Sequence, residues 1–84
     1  MSRLYHSARP VEVQTDEQGV PAAVCWRGVT YRVSCHNHWR IHTRWWEDEV
    51  RRDYYLLAHK SGNLVCEVYF DVPSGEWFMH RIYD

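Results

Sequence analysis

From Thr30 to Trp46 the chain alternates almost without interruption, and this period of two constrains the fold more than any other feature. The odd positions read Tyr31, Val33, Cys35, Asn37, Trp39, Ile41, Thr43 and Trp45; the even positions read Arg32, Ser34, His36, His38, Arg40, His42 and Arg44. Successive side chains of a strand point to opposite faces, so the run predicts one long strand with a buried and a wet face. The wet face carries three arginines and three histidines and no acid. A solvated strand face ordinarily mixes both signs of charge. A ladder of one sign points to an anionic partner, most simply a nucleic-acid backbone.

Eighty-four residues allow one domain, spanning 1–84, with a small core. Five Trp, six Tyr and two Phe help to fill it, because each buries more area than an aliphatic side chain. Cys25, Cys35 and Cys66 are odd in number and widely spaced, which suits reduced, buried thiols in a cytoplasmic protein. No apolar run approaches the roughly 18 residues of a membrane span, and the first residues do not resemble a signal peptide. The net charge of −1 conceals an asymmetry: residues 1–44 carry +3 and residues 45–84 carry −4. Such a chain can offer an anion one region and a basic partner another.

Residues 1–9 read as a loose lead-in. Short strands follow at Pro10–Thr15 and Ala22–Arg27, separated by the Gly and Pro of 16–21. Gly28 links tightly into the long strand, whose length predicts a bend or a bulge. Between Trp46 and Leu57 two readings compete. Trp46, Val50, Tyr54 and Leu57 follow helical spacing, while a loop at Glu47–Arg52 followed by a strand Asp53–Lys60 suits the turn at Ser61-Gly62-Asn63. The strand is favoured, with room for one short helix near 47–52. Strands at Leu64–Val72 and Glu76–Tyr83 complete a mainly β fold. It is a single small antiparallel meander of five to six strands, forming a curled sheet or partly open barrel.

The pieces Trp26-Arg27-Gly28, Tyr31-Arg32-Val33, Trp39-Arg40, Arg44-Trp45-Trp46, Arg52-Asp53-Tyr54-Tyr55, Gly75-Glu76-Trp77-Phe78 and Arg81-Ile82-Tyr83-Asp84 occur in that order. Together they resemble a small bacterial domain of unknown function. It is found alone or as the C-terminal segment of Y-family polymerase-like proteins of the damage-inducible mutasome. The resemblance covers roughly residues 10–84. It implies a setting in DNA repair or translesion synthesis and brings no catalytic motif with it. Where relatives hold Gly or Pro between Arg44-Trp45-Trp46 and Arg52-Asp53-Tyr54, this chain has Glu47-Asp48-Glu49-Val50, which keeps the helix open. The histidines at 36, 38 and 42 stand outside the family pattern.

Alternate strand residues stand about 7 Å apart, near the spacing of successive phosphates. Arg32, Arg40 and Arg44 are therefore the expected phosphate contacts, since a guanidinium donates a fork of hydrogen bonds. His36, His38 and His42 add charge when protonated. Trp46 and Tyr54 would stack on bases, which favours single-stranded DNA. The same Trp, Tyr and Arg residues would also suit a protein hot spot, so docking on a polymerase-like protein is the alternative. The ladder could also be an edge blunted by charge, or arginines paired internally with the acids at 47–49. A homodimer through an edge strand remains open. His36-x-His38 lacks the further ligands of a metal site, and no cofactor motif is present. With no complete catalytic constellation, the expectation is a module that is not an enzyme.

Overall fold

The computed structural model describes residues 2–45, 48–62 and 64–83, with side chains described for 9–43, 49–62 and 64–83. Seven strands make up the fold: β1 (Ser2–Pro10), β2 (Glu12–Thr15), β3 (Pro21–Trp26), β4 (Val29–Trp45), β5 (Asp48–His59), β6 (Val65–Asp71) and β7 (Glu76–Tyr83). All neighbours are antiparallel, in the order β1-β7-β6-β5-β4-β3-β2. Strands β2 to β7 are thus a simple meander, and β1 returns to pair with its last member. The sheet curls into a half-barrel; the Val11 N–H donates to the Trp77 carbonyl at 3.1 Å, drawing the first strands towards the last.

The mainly antiparallel β expectation holds, with seven strands in place of five to six. Two local expectations are corrected. The short helix near 47–52 does not form, because Asp48–Arg52 belong to β5 and pair with Trp45 back to Ile41. The backbone groups that a helix would bond internally are used in this ladder. In place of the loose lead-in expected over residues 1–9, Ser2–Pro10 form β1. Ser2, Arg3 and Leu4 pair with Tyr83, Ile82 and Arg81, and Arg9 and Pro10 pair with Met79 and Phe78. The four residues between Leu4 and Arg9 face a single residue of β7. That slack erases any period of two, which is why the sequence shows no strand there.

The inner face of the curl holds the core: Val24, Val33, Tyr55, Leu57, Leu64, Cys66, Val68, Met79 and Ile82. Each of β3 to β7 contributes, as the alternation of their apolar residues requires. Trp26 and Arg27 show how tightly the strands are joined. Trp26 pairs with Val29, leaving Arg27 and Gly28 as a two-residue turn with φ of 52° and 80°. Positive φ at both centres is the geometry whose twist matches a hairpin. The Arg27 guanidinium carbon lies 5.7 Å from the centre of the Trp26 ring.

Candidate functional site

One irregularity in β4 decides what the basic ladder can do. Cys35 pairs with Leu57 and Asn37 pairs with Leu56, so His36 is an extra residue with no partner of its own. It is a β-bulge. Locally, the Cys35 Sγ donates to the Asn37 carbonyl at 3.3 Å, and the Asn37 Oδ1 accepts the His38 N–H at 2.9 Å. Residues directly opposite each other share a face. Val33 and Cys35 therefore face inward before the bulge, and the even residues face inward after it. His38 lies opposite core Tyr55, and the two rings stack at 4.4 Å with planes 2° apart.

The predicted ladder is thus divided. Arg32, opposite Ala23, faces outward. His36 stands exposed at the bulge. His38, Arg40 and His42 continue the inner face along β4, beyond the core. Arg44 takes the register position opposite Glu49, and its side chain lies outside the described residues, as does Trp46 entirely. Arg32, Arg40 and Arg44 consequently do not form one phosphate-tracking row.

The inward cations are not alone. Arg40 Nε donates to Asp53 Oδ1 at 2.6 Å. That hydrogen bond, then the carboxylate's charge, raises the Arg40 pKa above its already high value. His42 Nε2 lies 3.2 Å from Glu49 Oε1, and Arg51 Nε lies 3.6 Å from the same oxygen. Arg40, His42, Arg51, Arg52, Asp53 and Val72 line a cleft of about 300 Å³. Internal pairing with the acids at 47–49 was one of the alternatives, and Glu49 takes that part, but Asp53 was missed as a partner of the ladder. A hairpin folded back between Trp45 and Asp48 places Asp53 opposite Arg40 and Glu49 opposite Arg44, so the signal lay in the register.

Tyr54 is also corrected. It faces outward, but only 5% of it is exposed, so it has no open ring face for a base. Trp39 stacks on one side at 5.6 Å with planes 5° apart, and Tyr69 lies on the other at 5.0 Å. Tyr69 in turn stacks on Phe78 at 5.3 Å. Trp39, Tyr54, Tyr69 and Phe78 are one residue from each of β4, β5, β6 and β7, and they run as a continuous aromatic row across the outer face. Arg52 lies over Tyr69 at 4.6 Å, and its Nη1 donates to the Tyr54 hydroxyl at 3.4 Å. Beside the row, His80 Nδ1 lies 2.6 Å from the buried Glu67 Oε2. No sequence pattern reveals this row, because its consecutive members are fifteen residues apart except across the β6–β7 hairpin.

The aromatic row ends at β4, and so does regular pairing. β3 pairs with β4 only over Val29–Arg32, and β5 pairs with it from Val33 to Trp45. From His36 to Trp45 the opposite edge of β4 has no strand partner among the described residues. β6 likewise reaches only Arg52 of β5, so the β4–β5 hairpin extends beyond the sheet as a two-stranded ribbon. Its exposed outer face includes Ile41, 37% exposed, two residues from Trp39. Among the described residues, no group of three His, Cys, Asp or Glu is placed to hold a metal ion. No helix is long and apolar enough to cross a membrane.

The model of one family, a domain of unknown function designated DUF6504, matches residues 3–84, and the chain belongs to that family. No curated protein and no solved structure matches it.

Proposed function

We propose that this member of the family is a docking module, not an enzyme, which holds a protein partner at the free edge of β4. The observation that carries the reading is that unpaired edge, ten residues from His36 to Trp45, on a strand otherwise fixed by β5. An exposed edge offers a row of N–H and C=O groups to an incoming strand, and strand addition is a common mode of peptide recognition. The other edges suit it less. β2 has four residues, and the pairing of β1 is interrupted between Leu4 and Arg9. The partner implied by the resemblance is a Y-family polymerase-like protein, in cytoplasmic bacterial DNA repair or translesion synthesis. Trp39, Ile41 and Arg40 supply the side-chain types that dominate protein hot spots, save that Ile is a weaker anchor.

The test is amide hydrogen exchange of the chain with and without a purified polymerase-like protein of that class. Slowed exchange confined to 36–45 is the expected result. A complex that protects other strands and leaves 36–45 unchanged would place docking elsewhere.

A second reading, binding of single-stranded DNA, keeps one specific support: β4 carries three Arg and three His and no acid. It is tested by anisotropy of labelled single- and double-stranded oligonucleotides at three salt concentrations. Phosphate contacts release counterions, so binding through the ladder must weaken steeply with salt. Absence of binding at low salt would retire it.

A further inference from the structure

We infer that the occupant of the β4 edge is an extended peptide that alternates acidic and aromatic residues, its acids inward beside His38, Arg40 and His42 and its aromatics outward beside Trp39 and Ile41. The inference rests on the docking reading and names the chemistry of its partner.

The bulge at His36 supplies the alternation. Beyond it, every inward residue of β4 whose side chain is described is a cation or an imidazole, and the outward positions are Asn37, Trp39, Ile41, Thr43 and Trp45. A strand added to the edge presents its own side chains alternately to those two sets. On the inner face, Asp53 and Glu49 approach the cations from β5, on one side only. The inward positions of the ribbon hold Arg40, Arg44 and Arg51 against Glu49 and Asp53, an excess of one positive charge before any histidine is protonated. Carboxylates from a new strand would approach from the open side. On the outer face, the aromatic row that begins at Phe78 stops at Trp39, where the sheet stops. A ring on the added strand opposite Trp39 continues the row by one member, and aromatic cross-strand pairs are among the favourable ones. Ile41 gives the next outward residue an apolar neighbour. Ten residues of edge extend about 33 Å, so a segment of eight to ten residues fills it.

The same pattern excludes a second copy of this chain as the natural occupant. An antiparallel pair of β4 edges that keeps each face continuous sets inward residues against inward residues. Centred on Arg40, it opposes Arg40 to Arg40, and His38 to His42, a pair that adds to the repulsion when protonated. Like charges directly opposite are destabilising, and a cationic edge is a known device against self-association. β4 thus repels itself and attracts an acidic strand.

The probes are three ten-residue peptides: one alternating Glu with Phe or Tyr, one with Lys in place of every Glu, and the first with a central Pro. Binding is read by Trp fluorescence and by hydrogen exchange over 36–45. The acidic peptide should bind and slow exchange in 36–45. The Lys peptide should bind at least about tenfold more weakly, since like charges across an interface cost several kcal/mol. The Pro peptide should lose most binding, because it lacks a donor and breaks the ladder. Equal binding by acidic and basic peptides would overturn the charge assignment. Failure of the acidic peptide, with 36–45 still protected by the polymerase-like protein, would overturn this inference and leave docking intact. Protection by neither would remove both. A peptide-free dimer that protects 36–45 in sedimentation-matched samples would give the edge to a second copy, and protection by an oligonucleotide alone would give it to nucleic acid.

Discussion

Cys66 shows at one residue how burial changes chemistry. It is fully buried in the core, and burial pushes its thiol from about 9.0 up to about 12. In the unfolded chain the thiol ionises near its ordinary value, while the folded chain keeps the proton. The folded state therefore binds more protons in this window. Stability should fall as pH rises from about 9 towards 12, by at most about 1.4 kcal/mol per pH unit from this group. Buried Tyr55 and Tyr69, also raised by burial, act with the same sign. Denaturation midpoints at pH 8 and 10.5 check this. Cys66→Ala should be less stable at pH 8 yet flatter with pH, and an equal slope would assign the loss to other groups. In the native state Cys66 should resist iodoacetamide, which needs the thiolate. Gly28 supplies a second case. Nothing lies within 4 Å of where its Cβ would be, but its φ is +80°. Gly28→Ala should therefore cost only the left-handed backbone penalty, about 1–2 kcal/mol in denaturant unfolding, with the hairpin intact.

At the scale of the element, β4 and β5 form one electrostatic unit, and this is where the sequence was readable only in part. The period of two located β4 to within one residue at each end, and its length foretold a bulge. The polar run His36-Asn37-His38 interrupts the alternation at this point, but which of its residues is the extra one depends on the cross-strand pairs that form. From that one residue follow the separation of Arg32 from Arg40 and the inward turn of His38. The acids were visible at 47–49 and 53, but their role required the hairpin register. Tyr54 was placed on the right strand; its burial depends on Trp39 and Tyr69, which lie on neighbouring strands. If Asp53 and Glu49 neutralise the ladder, removing them should unmask it. Asp53→Asn combined with Glu49→Gln should raise affinity for a single-stranded oligonucleotide at low salt and steepen the salt dependence, because phosphate contacts then face no competing carboxylate. Anisotropy titrations measure both. An unchanged salt slope would mean that these cations are not available to phosphate even when unpaired.

For the whole molecule, the half-barrel leaves little stability in reserve. Among the described residues its core is one cluster of nine buried residues, to which β3 to β7 all contribute. Leu57 is among the largest of its fully buried side chains. Leu57→Ala should cost about 2–5 kcal/mol, a large part of the roughly 5–15 kcal/mol that holds such a domain, and thermal melting should show it. The curl also makes β1 structural. β1 covers the edge of β7 opposite Met79 and Ile82, two core residues, so its pairing closes the side of the sheet farthest from β2 in strand order. Deleting residues 2–9 should leave the β2–β7 meander folded, since each of those strands keeps its neighbours. It should lower the melting temperature, because the ladder from Ser2↔Tyr83 to Leu4↔Arg81 is lost. It should also bare an edge that carries Trp77, Phe78, Met79 and Ile82, and an uncovered apolar edge invites association. Circular dichroism melts and sedimentation of the shortened chain test the two consequences separately. A lower melting temperature in a species that stays monomeric would make β1 a stabilising strand only. Association that appears with the deletion, and fades when Phe78 and Trp77 are changed to Lys, would show that β1 also protects β7.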